Sequence, residues 1–333
     1  MRLLFFCIIF LWVAAIPLAA QQAADSLLFE GIALYDKGEY RAAIKMYEKA
    51  LLLEPESMHL YYEIAFTYMA MKKFPEVITN CEKALASKDS LQNKALIYSL
   101  MGSAYDNQGM QAKALEVYDE GLKVCGDDYL LHFNKGVTYR KMKDTNEAIR
   151  SFIMALSLNP LHMSANLALA ELLDENGNIG LAAYNYGFFL LFESNTERSK
   201  QALGRIMQMG IAEKVHAPLP GFNGRPTSTE QLNRIVAAAQ APSSYLKLYR
   251  IFGDFYGERE KLDETGLPEM YKSFYIPFFT ALVGEGYLEV YCRKASVAMD
   301  RTSATWISKH EKEVQLFQSW VTAYWNKYSG EED

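Results

Sequence analysis

Cysteine is scarce in this sequence: four among 333 residues, one of which, Cys7, sits inside an apolar run at the amino terminus. The other three, Cys81, Cys125 and Cys292, are odd in number and share no framework spacing, which argues against a disulfide scaffold. Buried free thiols are the expectation, since cysteine packs as a small apolar residue. His59, His132, His162, His216 and His310 stand apart from the cysteines and from one another, so no metal-ligand spacing appears. Basic runs are missing too, and the formal charge of -6 lacks the clustered Lys and Arg that mark nucleic-acid binding.

Catalytic and cofactor signatures are equally absent. Gly284 and Gly286 have neither the third glycine nor the preceding strand of a dinucleotide site, and no phosphate loop ends in Gly-Lys-Ser or Gly-Lys-Thr. Asp174, Asn176 and Asn178 imitate the start of a calcium loop, but Ile179 occupies the required glycine position and Asn185 the required glutamate. No Gly-x-Ser-x-Gly elbow occurs. The pairs Asp127-Asp128 and Asp263-Glu264 fall at expected helix ends, where capping carboxylates are ordinary. No catalytic residue, metal ligand or cofactor is therefore assigned, and the chain does not read as an enzyme.

What is present begins at Arg2, followed by an apolar run from Leu3 to Ala20 broken only by Pro17. This has the pattern of an export signal covering residues 1–20, with Ala20 the expected last residue removed and Ala19 the alternative. The competing reading is an uncleaved membrane anchor, since 18 apolar residues reach the lower limit for a span. Beyond Ala20 no apolar run is long enough to cross a bilayer. Cys7 lies too deep in the run to become a lipidated amino terminus. Export would mean the periplasm in a Gram-negative cell.

Residues 129–162 then show two amphipathic helical patterns joined at Lys143-Asp144-Thr145 and closed at Asn159-Pro160, where proline cannot continue a helix. Gly136, Ala148 and Ala155 are small where two antiparallel helices would cross, and Tyr139 and Phe152 supply bulk beside them. The pattern recurs in register. Residues 24–57 place Gly31, Ala43, Tyr47, Ala50 and Pro55 at the same offsets, and residues 95–128 place Gly102, Ala114, Tyr118 and Gly121 there. Residues 58–94 are looser, with Tyr61, Ala65, Tyr68 and Ala84 but Val77 at a small position and three extra residues. Residues 163–196 keep Ala170, Gly177, Ala182 and Tyr186 and put Phe189 where alanine is expected.

This tandem pattern resembles the tetratricopeptide repeat, a 34-residue helix-turn-helix unit with small and aromatic signature positions. The resemblance implies an all-α, right-handed superhelical array of about five hairpins in residues 24–210, whose open apolar faces are buried by stacking. Ala202, Leu203, Ile206 and Met207 form one face of a capping helix over 197–210, opposite Lys200, Gln201, Arg205 and Gln208. Residues 211–226, rich in proline and glycine, read as a linker.

Residues 227–333 read as a further helical region without a family resemblance. Thr227 and Glu230 resemble a capping box opening a helix to about Gln240. Pro242 starts another, with Leu246, Tyr249, Ile251 and Phe252 apolar. A third stretch, from Met270 through Phe274, Phe278, Phe279 and Leu282, is apolar nearly all round, with Pro277 expected to kink it or sit in a first turn. Tyr287 to Lys294 is the next. A single helix from about Ser303 to Tyr328 is expected from the stripe Ile307, His310, Val314, Phe317, Val321, Tyr324 and Tyr328, with His310 a satisfied core residue.

The resemblance implies a concave face at offsets 2, 5, 9 and 12 of each repeat. There stand Leu28, Ile32 and Tyr35, then Tyr62, Phe66 and Met69, then Phe133, Val137 and Arg140, and finally Glu171 and Asp174, with Ser99, Ser103 and Asp106 in the third repeat. The family's lysine-asparagine clamp for carboxyl-terminal tails is missing, since Leu28 and Ile32 occupy its first positions. A groove for a protein or peptide segment with apolar anchors fits this face. Packing of these side chains on one another, or beneath the carboxyl-terminal half, stands beside it. The expected function is an exported adaptor. A structural subunit of an envelope assembly, and an enzyme with an unrecognised site in 227–333, are the alternatives. Oligomeric state and partner identity are not set by the sequence.

Overall fold

The computed structural model describes residues 21–87, 94–209, 244–257 and 267–329. The leader 1–20, the linker 211–226 and the capping-box helix after Thr227 lie outside these. Among the described residues all regular structure is helical. The chain divides into two compact units, Met1–Lys143 and Asp144–Asp333.

The first unit holds α1 (21–36), α2 (Tyr40–Leu53), α3 (Met58–Ala70), α4 (Phe74–Ala86), α5 (Lys94–Asn107), α6 (Gln111–Cys125) and α7 (Tyr129–Lys141). Why these segments form hairpins is visible at the crossings. A Cβ placed on Gly31 would lie 2.3 Å from a ring carbon of Tyr47, and one on Gly102 would lie 2.3 Å from Tyr118, so only glycine lets each ring fill the inter-helix space. Tyr47 and Tyr118 are fully buried, with Ala43, Ala50, Ala114 and Ala104 around them. Cys81, expected at a packing position, is buried among Val77, Ala84 and Tyr98.

The turns share one geometry. Gly38, Lys72, Gly109, Lys143 and Gly177 all have φ between 57° and 79°, and each is residue 15 of its repeat. The next residue's N–H bonds back five residues: Glu39 to Leu34 O at 2.9 Å, Lys73 to Tyr68 O at 2.9 Å, Met110 to Tyr105 O at 3.0 Å, Asn178 to Leu173 O at 2.7 Å. This is the left-handed helix ending that satisfies terminal carbonyls. Five in register also show that the extra residues of the second repeat fall after its turn. Helix starts are capped by side chains in the later repeats: Asp128 accepts from Leu130 and Leu131, Asp144 from Glu147, and the His162 ring nitrogen from Ala165.

The second unit contains α8 (Thr145–Leu158), α9 (Met163–Glu175), α10 (Ile179–Phe192), α11 (Glu197–Met209), α12 (Ser244–Gly257), α13 (Ile276–Gly284), α14 (Leu288–Ser296), α15 (Arg301–Lys309) and α16 (Glu311–Ser329). α10 is its axis, buried from Ile179 through Leu191. The departure at Phe189 follows from this: α10 is enclosed on all sides, so no face of it needs to be narrow or polar. Tyr271 donates to Asn185 Oδ1 at 2.6 Å and Tyr291 to Gly187 O at 2.8 Å. Phe188 meets Phe274, Tyr275 and Phe278 edge-on. Within this unit the carboxyl-terminal helices therefore share one core with the fifth repeat and engage its second helix. Tyr275 also donates to Asn166 Oδ1 at 2.7 Å, near the turn at Pro160.

Two expectations need correction. Residues 303–328 are not one helix: α15 ends at Lys309 and α16 starts at Glu311, with His310 stacked on Trp306 at 4.0 Å and its Nδ1 against Trp306 O at 2.8 Å. The stripe is also shallower than a full seam, with Phe317 its one fully buried member. Pro277, by contrast, sits in the first turn of α13, one of the two positions expected for it. A π-helical turn over Tyr271–Tyr275 precedes it, Ile276 N–H bonding to Tyr271 O, so the missing proline N–H falls where helical pairing is already shifted. Cys125 is exposed rather than buried; it is the last residue of α6, beside the helix ending at Gly126.

Candidate functional site

The sequence-derived concave residues fall into groups that behave differently. In the first unit Leu28, Ile32 and Tyr35 lean against the core formed by Tyr47, Leu60 and Ile64. Tyr62 and Met69 lean against the next core, around Cys81 and Tyr98. Phe66 is the exception, with 38 % of its surface exposed. Its ring is 5.5 Å from Tyr35 and 6.0 Å from Tyr62, the latter nearly parallel at 20°. Tyr35, Tyr62 and Phe66 thus form a continuous aromatic platform across α1 and α3, half supported from below and open above.

Glu63, at offset 6, belongs to this platform and was not among the residues read from sequence, which considered offsets 2, 5, 9 and 12. The clue was available: it is the single acid in α3, a helix with no Lys or Arg. Glu63 and Phe66, three apart, are neighbours on one helical face. Burial raises the Glu63 carboxyl above the ordinary range, and His59, 3.8 Å away and about half exposed, offsets this only in part. Burial and then the Glu63 charge push the Tyr62 hydroxyl up; burial, Tyr40 and Glu63 do so for Tyr35.

In the third and fourth repeats the facing positions are largely partnered within the chain. Asn134 donates to Ser99 Oγ at 2.6 Å, Ser103 meets the Tyr118 hydroxyl at 3.3 Å, and Lys141 pairs with the buried Asp106. Phe133, Val137 and Arg140 are half-buried on α7. In the second unit Glu171 is half-buried, and Asp174, 4 % exposed, is held by Arg205 of α11, whose Nε donates at 2.8 Å. Asp174 is therefore already neutralised by its own chain. Burial first, then the Asp174 and Glu171 charges, raise the Tyr186 hydroxyl pKa.

Among the described residues no three His, Cys, Asp or Glu side chains converge on a common point, and no helix is long and apolar enough to cross a membrane. Helical hairpins with a shared turn, a shared glycine-on-tyrosine crossing and an open first-helix face define a repeat scaffold of the protein-binding kind. Residues 31–72 match the family described as TPR repeat, and residues 95–128 and 130–160 match tetratricopeptide repeat. Residues 31–72, 95–128 and 130–160 are thus tetratricopeptide repeats. The chain is similar to the BBSome complex member BBS4 of Bos taurus, 23 % identical over 165 residues, covering 50 % of this chain and 31 % of that one. A TPR repeat-containing protein, MJ1428, of Methanocaldococcus jannaschii is 28 % identical over 173 residues, 47 % of this chain and 29 % of its own length. The chain thus spans under a third of these curated relatives. Among solved structures, TTC0263, a thermophilic TPR protein of Thermus thermophilus, has a TM-score of 0.47 at 22 % identity, covering 56 % of this chain and all of that one.

Proposed function

We propose that this protein is an exported adaptor that captures an extended segment of a partner protein on its first two repeats, without catalysing a reaction. The observation that carries the reading is the platform of Tyr35, Tyr62 and Phe66, where Phe66 keeps 38 % of its surface exposed. Large rings held at a fixed height by packing beneath them lose little side-chain freedom on binding, which is what makes aromatic residues effective anchors. By contrast, Asp174 and Asp106 are engaged within the chain, so the segment's main contacts lie in the first two repeats rather than at Glu171.

The export part of the proposal rests on Arg2 and the apolar run to Ala20; amino-terminal sequencing of the cellular protein should begin near Gln21, and a retained Met1 would remove it. The binding part is tested by selecting random dodecapeptides on the purified chain. Enriched peptides should bind Phe66→Ala about 30-fold more weakly, corresponding to about 2 kcal/mol for one aromatic anchor, with the melting temperature unchanged. Enriched peptides that bind both proteins equally would dissociate capture from this platform.

A further inference from the structure

The platform is more than an apolar surface, because a half-buried carboxylate is built into it. Other rings of the second repeat already carry a cation of their own: Lys73 lies 5.7 Å from the Tyr68 ring centroid and Lys83 lies 5.8 Å from that of Tyr61. Among the described residues no Lys or Arg is stacked on Tyr35, Tyr62 or Phe66. Within the two helices that carry them the fixed charges have one sign. α1 carries Asp25, Glu30 and Asp36 and α3 carries Glu63, with no Lys or Arg in either helix. The nearest cationic group to Glu63 is His59, at 3.8 Å with 52 % of its side chain exposed, a partner that carries charge only when protonated.

We infer that the bound segment presents a basic side chain, an arginine above all, which lays its guanidinium on the Tyr35–Tyr62–Phe66 platform and pairs with Glu63. This rests on the peptide-capture reading and specifies the anchor. Arginine fits better than an aliphatic anchor because its stem covers apolar surface, its flat head stacks on rings, and its N–H groups reach a carboxylate. The cation–π attraction is strongest where water is excluded, and half-burial of Glu63 and Tyr62 supplies that condition. An aliphatic or aromatic anchor would instead shield Glu63 from water without neutralising it.

The dodecapeptides enriched on the purified full chain provide the probes. Arginine or lysine should appear at one fixed register in most of them. Replacing that arginine by citrulline, neutral and of the same shape, should weaken binding to the natural protein about tenfold. It should change binding to Glu63→Gln only about threefold, because the charge partner is gone there and the ring contact alone remains. Tyr62→Leu, which keeps bulk and removes a ring face, should lose the preference for arginine while its helical signal is retained. Enriched peptides with apolar residues at that register, or a citrulline effect of equal size on natural and Glu63→Gln proteins, would overturn the inference and leave peptide capture standing. No enrichment of any peptide would remove both.

Discussion

Gly102 and Gly204 provide the same substitution in opposite surroundings. In Gly102→Ala the new Cβ would lie 2.3 Å from Cε1 and 2.7 Å from Cδ1 of Tyr118, more than an ångström inside ordinary contact. Tyr118 cannot yield easily: it is 1 % exposed and its hydroxyl meets Ser103 at 3.3 Å. A clash this deep belongs at the upper end of the about 1–3 kcal/mol that overpacking costs, and alanine regains about 1 kcal/mol of helix propensity over glycine, so the net loss should be about 2 kcal/mol. A Cβ on Gly204, inside α11, meets nothing within 4 Å. There the propensity term stands alone, and Gly204→Ala should stabilise by up to about 1 kcal/mol. Since the two positions lie in different compact units, hydrogen exchange read separately over 94–125 and 179–209 is the suitable assay. Protection should fall in the first segment for Gly102→Ala and rise in the second for Gly204→Ala. A neutral Gly102→Ala would mean that the ring is not locked against the helix, and the small-on-aromatic account of the hairpin would fail.

Tyr275→Phe removes the buried donor to Asn166 Oδ1 and should cost about 1–3 kcal/mol, the price of an unsatisfied buried acceptor; urea denaturation monitored in the second unit checks it, and an unchanged midpoint would contradict the bond. Thiol labelling of the native protein should modify Cys125 first, on the order of 100-fold faster than Cys81, whose pKa is pushed to about 12 by burial and by Glu82, and faster than Cys292, also raised by burial. Equal rates by mass mapping would refute the assigned burial. Burial alone would raise the Asp300 carboxyl, but bonds from Thr302, Tyr245 and Ser303 outweigh it and hold its pKa below the ordinary value. Its contribution is therefore fully present above about pH 3.9 and lost as pH falls through the lower folded value, whereas Asp300→Asn should show no such loss in acid-titrated exchange at residues 301–304.

Much of the array could be read from sequence because its signature is steric and local. Gly31 with Tyr47 and Gly102 with Tyr118 are sixteen residues apart in both repeats, and the same distance returns as a crossing contact. The turn was half legible: Gly38, Gly109 and Gly177 announce a left-handed residue, while Lys72 and Lys143 adopt the same φ at 57° and 62° without a residue type that reveals it. In the carboxyl-terminal half, periodicity found α13, α14 and most of α16 but missed the break at His310. The apolar stripe continues across that break, so a period of three and four could not show it. Nor could periodicity place Tyr271 and Tyr291 on α10 or Tyr275 on Asn166 of α9, because those partners are 86 to 109 residues away in sequence.

The concave face was harder still, because position in a repeat says where a side chain stands and not what has already claimed it. Asp106 and Asp174 occupy the same offset, twelve, in the third and fifth repeats. Each is buried, and each is met by a cation from the helix that follows its repeat, Lys141 of α7 in one unit and Arg205 of α11 in the other. A buried carboxylate left alone would be strongly destabilising, so these pairs are conditions for the helices to stack at all. The equivalent position in the first two repeats holds Tyr35 and Met69, which need no such partner and leave the surface beside them open. Glu63, one offset removed from Tyr62, is then the acid of the platform whose nearest partner is a half-exposed histidine. Aromatic residues at offsets nine and twelve free the face for binding, and acids at those offsets use it for cohesion.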